Sequence, residues 1–180
     1  MTEVVLPLPP LPASKAHAED ERSVLLGYLD YHRAVLARKV ADISEEQARM
    51  APCPPSTMTL LGLIRHMADV ERFWFRSRLV GEELSPLFSG DAHPEGDPDG
   101  DFNPPEEATL AEALAAWKAE IEAADANIAT KDVGEFEAVP VEGQSVSTLR
   151  RVLVHLIEEY ARHCGHADLI REVIDGATGD

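Results

Sequence analysis

Three side chains, His66, Glu159 and His163, combine donor types and spacings that suit a divalent cation. Glu159 and His163 are four residues apart, so on a helix they point the same way, one turn above the other. With about 100° per residue, Leu156 and Ile170 fall about 20° to either side of His163, Glu159 about 40° away, His166 about 60° and His155 about 80°. His163 therefore lies on the centreline of an apolar face, and Glu159 lies beside it. On a separate periodic segment, His66 falls between Phe73, about 20° away, and Val70, about 40° away. A carboxylate taken out of water is costly unless paired, protonated or metal-bound, and neutral imidazoles are poor charge partners for it. Neighbouring Glu158 turns away by about 140° and can pair with Arg162 at the surface.

Two histidines and a glutamate are the ligand set of catalytic zinc sites, which keep a fourth position open for water or substrate. Zinc is the expected ion, and the same donors also suit nickel or iron. The alternative for the set is a hydrogen-bonded polar core, which is the ordinary reading of a single histidine on an apolar face. That ordinary reading is taken for His32. His155 and His166 flank the set, as groups that orient it, line a cavity beside it or relay protons, or simply as packed side chains. Cys53 and Cys164 show no pairing pattern, which suits a reducing compartment, and Cys164, about 100° from His163, reads as structural. Asp97, Asp99 and Asp101 alternate as in a calcium loop, but the required glycine and glutamate positions are Phe102 and Ala108, and the calcium reading fails.

Four segments have the periodicity to position these groups, and no stretch alternates as a strand does. The first runs from about Glu19 to Ile43. The second runs from about Met58 to Gly81 and carries His66, with Ser56 or Thr57 positioned to cap it after Pro54-Pro55. The third starts at Thr109, where Thr109 and Glu112 form a capping box, and its stripe Leu110, Leu114, Trp117, Ile121, Ala124, Ile128 is apolar throughout. The fourth runs from about Ser147 to Asp175, carries Glu159 and His163, and meets Gly176 as its stop. Residues 42–57 contain SEEQARM, enough for one helical turn, and residues 82–108 form a long Gly-, Pro- and Asp-rich loop. The expected fold is all-α, a four-helix bundle with a long loop between helices 2 and 3. Residues 19–180 form the domain, and residues 1–18, MTEVVLPLPPLPASKAHA, form an extended N-terminal arm without the layout of a signal peptide.

The 180 residues suffice for one core without staples. With 33 acidic against 16 basic residues and a formal net charge of −17, no basic surface is present to displace counterions from nucleic acid or to bind anionic lipid. No apolar run approaches the roughly 20 residues of a membrane span. The expected location is the cytoplasm.

The segments LLGLIRHMADVERFWF, DPDGDF and VHLIEEYARHCGHADLIREVIDG resemble the DinB-like superfamily, most closely its mini-circle-protein type, over residues 22 to 178. The resemblance implies a four-helix bundle binding a divalent metal through three side chains. His66 matches the helix-two ligand of the family and His163 the last ligand of the helix-four motif. Where many relatives carry a histidine between them, this chain has Glu159, a departure shared with mycothiol-dependent maleylpyruvate isomerase. His166 stands where many relatives have glutamine. Several members of the superfamily are metal-dependent transferases of low-molecular-weight thiols such as mycothiol, and others are described as hydrolases. The resemblance thus implies a transferase with a small-molecule thiol and an electrophilic substrate as its partners. The alternatives are a metal-dependent hydrolase and a non-catalytic metal-binding stress protein. A homodimer is the expected assembly.

Overall fold

The computed structural model describes residues 10–11, 20–92, 96–139 and 146–179. The arm expected at residues 1–18 lies outside the described residues apart from Pro10 and Leu11, and Leu11 is half-buried against the core. The described residues are all-helical, with one isolated bridge between Phe136 and Thr148. The long helices are α1 (Glu21–Lys39), α3 (Leu60–Glu71), α4 (Leu110–Ala129) and α5 (Leu149–Asp175); α2 (Glu45–Ala48) is a single turn. Helix α3 runs on without interruption into π-helical turns over Arg72–Arg78. No helix among the described residues is long and apolar enough to cross a membrane.

Local chemistry sets the helix ends. Asp20 accepts from the Ser23 amide at 3.0 Å to start α1. Thr109 and Glu112 close the expected capping box on α4. Gly176, at φ 78°, ends α5 in the left-handed conformation that glycine adopts without strain. The start of α3 differs from expectation. Thr59, not Ser56 or Thr57, is the cap, its hydroxyl accepting from Gly62 N at 2.9 Å, because the Ser56 hydroxyl is used by Met58 N in the preceding turn.

Helix α1 lies along α5, and α3 lies against both α4 and α5. Helix α3 is buried on nearly every face, from Leu60 through Arg65 and again at Met67, Ala68 and Glu71, as expected for a helix enclosed by others. Its last residue, Glu71, has no exposure. Arg33 of α1 grips that carboxylate from Nε and a terminal nitrogen, both at 2.8 Å. Tyr160 of α5 donates its hydroxyl to Glu71 Oε1 at 2.6 Å. Trp117 of α4 donates its indole N–H to the Tyr160 oxygen at 2.8 Å. One chain of bonds thus joins all four long helices. Burial, then the adjacent Glu71 carboxylate, holds the Tyr160 phenol well above its usual range, so it remains a donor. Burial alone would lower the Arg33 guanidinium, but Glu71, Tyr160 and Asp125 together outweigh it and the net shift is upward.

Two expectations for the apolar stripes are corrected. The α4 stripe is not apolar throughout: Glu120 is buried on it, bonded to Arg72 at 2.7 Å and Arg76 at 3.2 Å, while Leu114 and Ile121 are only half-buried. Phe73, placed by periodicity on the buried face beside His66, is 45% exposed. His66 and Val70, which precede it on that face, are themselves only half-buried, so the face borders a cavity and is not packed into the core. The π-helical turns begin at Arg72, with Leu79 N reaching back five residues to Trp74 O at 3.0 Å.

Breaking the four-helix chain is expected to be expensive. Arg33→Met leaves a buried carboxylate uncompensated and lowers unfolding free energy by about 3–5 kcal/mol. Tyr160→Phe removes one donor and one acceptor and lowers it by roughly 1–3 kcal/mol. Urea denaturation of both variants against wild type measures these losses.

Candidate functional site

The structure brings His66, Glu159 and His163 together, with one donor atom from each lying within 4.8 Å of the others. It is the one such cluster of three or more His, Cys, Asp or Glu donors among the described residues. His66 comes from α3; Glu159 and His163 come from successive turns of α5. The two imidazole rings meet edge to face at 4.7 Å, and His163 Nε2 lies 3.4 Å from Glu159 Oε2. Glu159 is less enclosed than its place on the helix implied, with its side chain 19% exposed. The most deeply buried carboxylate is Glu71, which the 3.6-residue period turns about 140° from His66 and so away from the stripe.

Each of the three groups is backed on its far side. Asp101 Oδ2 lies 2.8 Å from His66 Nδ1, which leaves Nε2 as the ring nitrogen available for another partner. His166 Nδ1 lies 3.3 Å from His163 Nδ1. His155 Nε2 lies 3.5 Å from Glu159 Oε1, and its Nδ1 lies 3.8 Å from Glu158 Oε2 at the surface. The expected surface pair Glu158–Arg162 is present at 3.0 Å. Burial, then the neighbouring His66 and His166 imidazoles, pushes His163 down to about 3, so its ring is a neutral nitrogen donor near neutral pH.

His32 is not in the cluster. Its ring meets Tyr31 edge-on at 5.7 Å, and its carbonyl accepts the buried Cys164 thiol at 3.5 Å. Neither cysteine is in a disulfide.

Asp101 is the residue that the sequence reading missed. It lies in the alternating run Asp97, Asp99, Asp101 and in the DPDGDF segment, 35 residues from His66. Its loop is strapped onto α3. Arg65 donates to the Gly100 and Asp101 carbonyls at 2.9 and 3.2 Å, and its guanidinium lies 4.1 Å over the Phe88 ring. Phe102 stacks on His66 at 4.2 Å. Within the loop, Asp97 accepts from Asp99 N at 2.9 Å and from the Asn103 amide at 2.7 Å. The approach of loop to helix is so close that a Cβ at position 62 would stand 2.7 Å from the Phe102 carbonyl oxygen. Glycine at 62 is what allows Asp101 to reach His66. The signal available in the sequence was the DPDGDF segment itself.

Comparison with known proteins adds the family. Residues 24–176 match the sequence model of mycothiol-S-transferases. The chain belongs to the mycothiol-S-transferase family. No curated protein and no solved structure matches it. The match spans α1 through α5 and therefore includes every residue of the cluster and its backing groups.

A half-open cavity of about 250 Å³ adjoins this cluster of the mycothiol-S-transferase family member. His66 and Asp101 form one end of it, and Phe73 and Trp74 of the π-helical turns form a wall. Trp74 also meets the His155 ring at 4.7 Å; of the cluster and its backing groups, His66 and Asp101 are the ones in the cavity lining.

Two outcomes follow from this geometry. Gly62→Ala forces the loop from α3, costs roughly 1–3 kcal/mol through overpacking, and strips hydrogen-exchange protection from the amides of Gly100, Phe102 and Asn103. His163 stays neutral in the fold down to about pH 3 but titrates near 6.5 when exposed. Between those values the unfolded chain binds a proton that the folded chain does not, so stability falls as pH drops through that window and not above it. Urea midpoints in chelator will therefore fall more steeply with acid for wild type than for His163→Gln.

Proposed function

We propose that the protein is a metal-dependent transferase of mycothiol, with His66, Glu159 and His163 as the metal ligands. The observation that carries the reading is the convergence of three mutually adjacent donors in a chain of this family. The donor chemistry fits the group. Two donors bonded at about 2.1 Å to a tetrahedral ion stand about 3.4 Å apart, so donors lying within 4.8 Å of one another reach a coordination shell by closing up by at most about 1.4 Å. The backing supports it too, since a carboxylate on the far nitrogen of a ligand histidine fixes its tautomer and raises its basicity. Zinc is the ion best matched to two imidazoles and a carboxylate, with nickel or iron as alternatives.

A divalent ion held there supplies one thing, a positive charge that favours the thiolate of mycothiol near neutral pH. The protein's own residues do the rest. Asp101 holds the His66 ring with Nε2 toward the cluster. His166 does the same for His163 through Nδ1, and burial keeps His163 unprotonated. His155 is the candidate acceptor for the thiol proton, because its two nitrogens reach Glu159 on the inner side and Glu158 at the surface. Its ring lies 4.7 Å from that of Trp74, a residue of the cavity wall. The single open side of the cluster is where a sulfur and an electrophilic carbon would meet.

The test is metal analysis of protein purified without an affinity tag, with transfer of mycothiol to an electrophile followed in parallel. One ion per chain is expected in wild type, with binding and transfer lost in His66→Ala and Glu159→Ala. Asp101→Asn should weaken the metal about 10–100-fold while leaving the fold intact. Stoichiometric metal retained by Glu159→Ala would sink the ligand assignment. Transfer that survives metal removal would sink the metal dependence.

A further inference from the structure

The cavity beside the donor cluster differs from it in chemistry. Val70, Phe73, Trp74, Leu84 and Pro86 give it apolar walls. Three charged side chains, Asp69, Arg72 and Asp101, also reach its lining, and each is engaged by its surroundings. Asp69 accepts from the backbone amides of Leu87 and Phe88, at 2.5 and 3.1 Å, and from the Ser89 hydroxyl at 3.4 Å. Arg72 donates to the Ser85 carbonyl at 2.8 Å and to Glu120 at 2.7 Å. Asp101 is held by His66 and by the Phe102 amide. An anionic ligand would leave water to face two carboxylates, Asp69 and Asp101, and the formal net charge of −17 adds to that penalty.

Phe73 supports a ring-binding role. Phe73, 45% exposed, is one of several exposed large apolar side chains among the described residues, and its place in the cavity lining is what sets it apart. Trp74 stands beside it in that lining, its ring edge-on at 5.3 Å. π-helical turns are frequent at functional sites. Size narrows the ligand further. An apolar cavity of about 150 Å³ accepts benzene, so a cavity of about 250 Å³ holds one substituted ring or an apolar group of that size.

We infer that this cavity is the acceptor site, and that it takes an uncharged electrophile built on a single ring or an apolar group of similar size. The acceptor role rests on the transferase reading above. The ring-binding site rests on the cavity alone. His66, shared between cavity and cluster, puts a ring seated against Phe73 and Trp74 next to the place proposed for the sulfur. With a benzylic halide, the thiolate sulfur forms a bond to the benzylic carbon as the carbon–chlorine bond breaks. Chloride leaves with the electron pair, and the thiol proton passes to solvent.

Two measurements on full-length, metal-reconstituted protein test the inference separately from the function it builds on. Ligand-observed NMR with benzyl alcohol and benzoate reads the site without any chemistry. Benzyl alcohol is expected to bind at least about tenfold more tightly. Ser77→Trp, which fills the cavity, and Phe73→Ala, which removes a wall, are each expected to weaken it at least fivefold with circular dichroism and metal content unchanged. Equal binding of benzoate, or binding that neither variant alters, overturns the site. The second measurement compares mycothiol transfer to benzyl chloride and to 4-(chloromethyl)benzoate, with kcat/KM expected to be at least about tenfold higher for the neutral compound. Transfer without that preference overturns the acceptor assignment and leaves the transferase reading standing. Selective binding of benzyl alcohol with no transfer to either halide overturns the transferase reading and the acceptor role with it, and leaves a ring-binding cavity.

Discussion

A carboxylate with no solvent exposure, Glu71, is the fixed point around which the helices are arranged. It can stay in the core only because its oxygens are used by Arg33 and Tyr160, and Tyr160 is in turn held by Trp117. Each donor comes from a different helix. Desolvation offsets much of the attraction in a buried ion pair, so the main consequence lies in register: a slip of any one helix by a single residue would leave a buried charge or donor without a partner. That register reaches the donor cluster directly. Tyr160 adjoins Glu159 in sequence and lies three residues before His163, while Glu71 lies five residues after His66. Fixing Tyr160 against Glu71 fixes the offset between α3 and α5, and with it the spacing of the two imidazoles and the carboxylate.

The same junction divides α3 into two parts with different tasks. Before Glu71 the helix is regular and enclosed, and it presents His66 to α5. After it, the π-helical turns carry Phe73 and Trp74 in the cavity wall and set Arg72 and Arg76 on Glu120 of α4. The polar anchoring of Arg72 and Arg76 compensates for the irregular backbone and holds the wall of the cavity in place.

The loop over residues 97–103 completes the arrangement from outside the helices. It carries Asp101 to His66, and it stays there through Gly62, Arg65 and the stacked Phe102. Helices thus supply the donors while a loop pinned to one of them supplies the group that orients a donor. Catalytic and binding residues often sit on loops held by a rigid frame, and here the frame is a single helical turn, residues 62 to 66.

The sequence determined the all-helical fold, the capping of α4, the glycine stop of α5 and the placing of Glu159 and His163 on one helix face, because each is a local or periodic property. Apolar spacing of three and four residues fixes a face, and Glu159 and His163 lie on one face wherever their helix goes. It also made His155 and His166 neighbours of that pair. Tertiary structure alone decided what lies across from each face. Nothing in the spacing of Arg33, Glu71, Trp117 and Tyr160 marks them as one chain of bonds, since each belongs to a different helix and Glu71 falls off the apolar stripe. The DPDGDF segment marks Asp101 but not its partner, which is 35 residues away and is reached only because position 62 lacks a Cβ. Periodicity places Phe73 on one face with His66 and Val70 but does not show that this face borders a cavity. Periodicity reports how one segment faces its surroundings, and only the packed molecule supplies the surroundings.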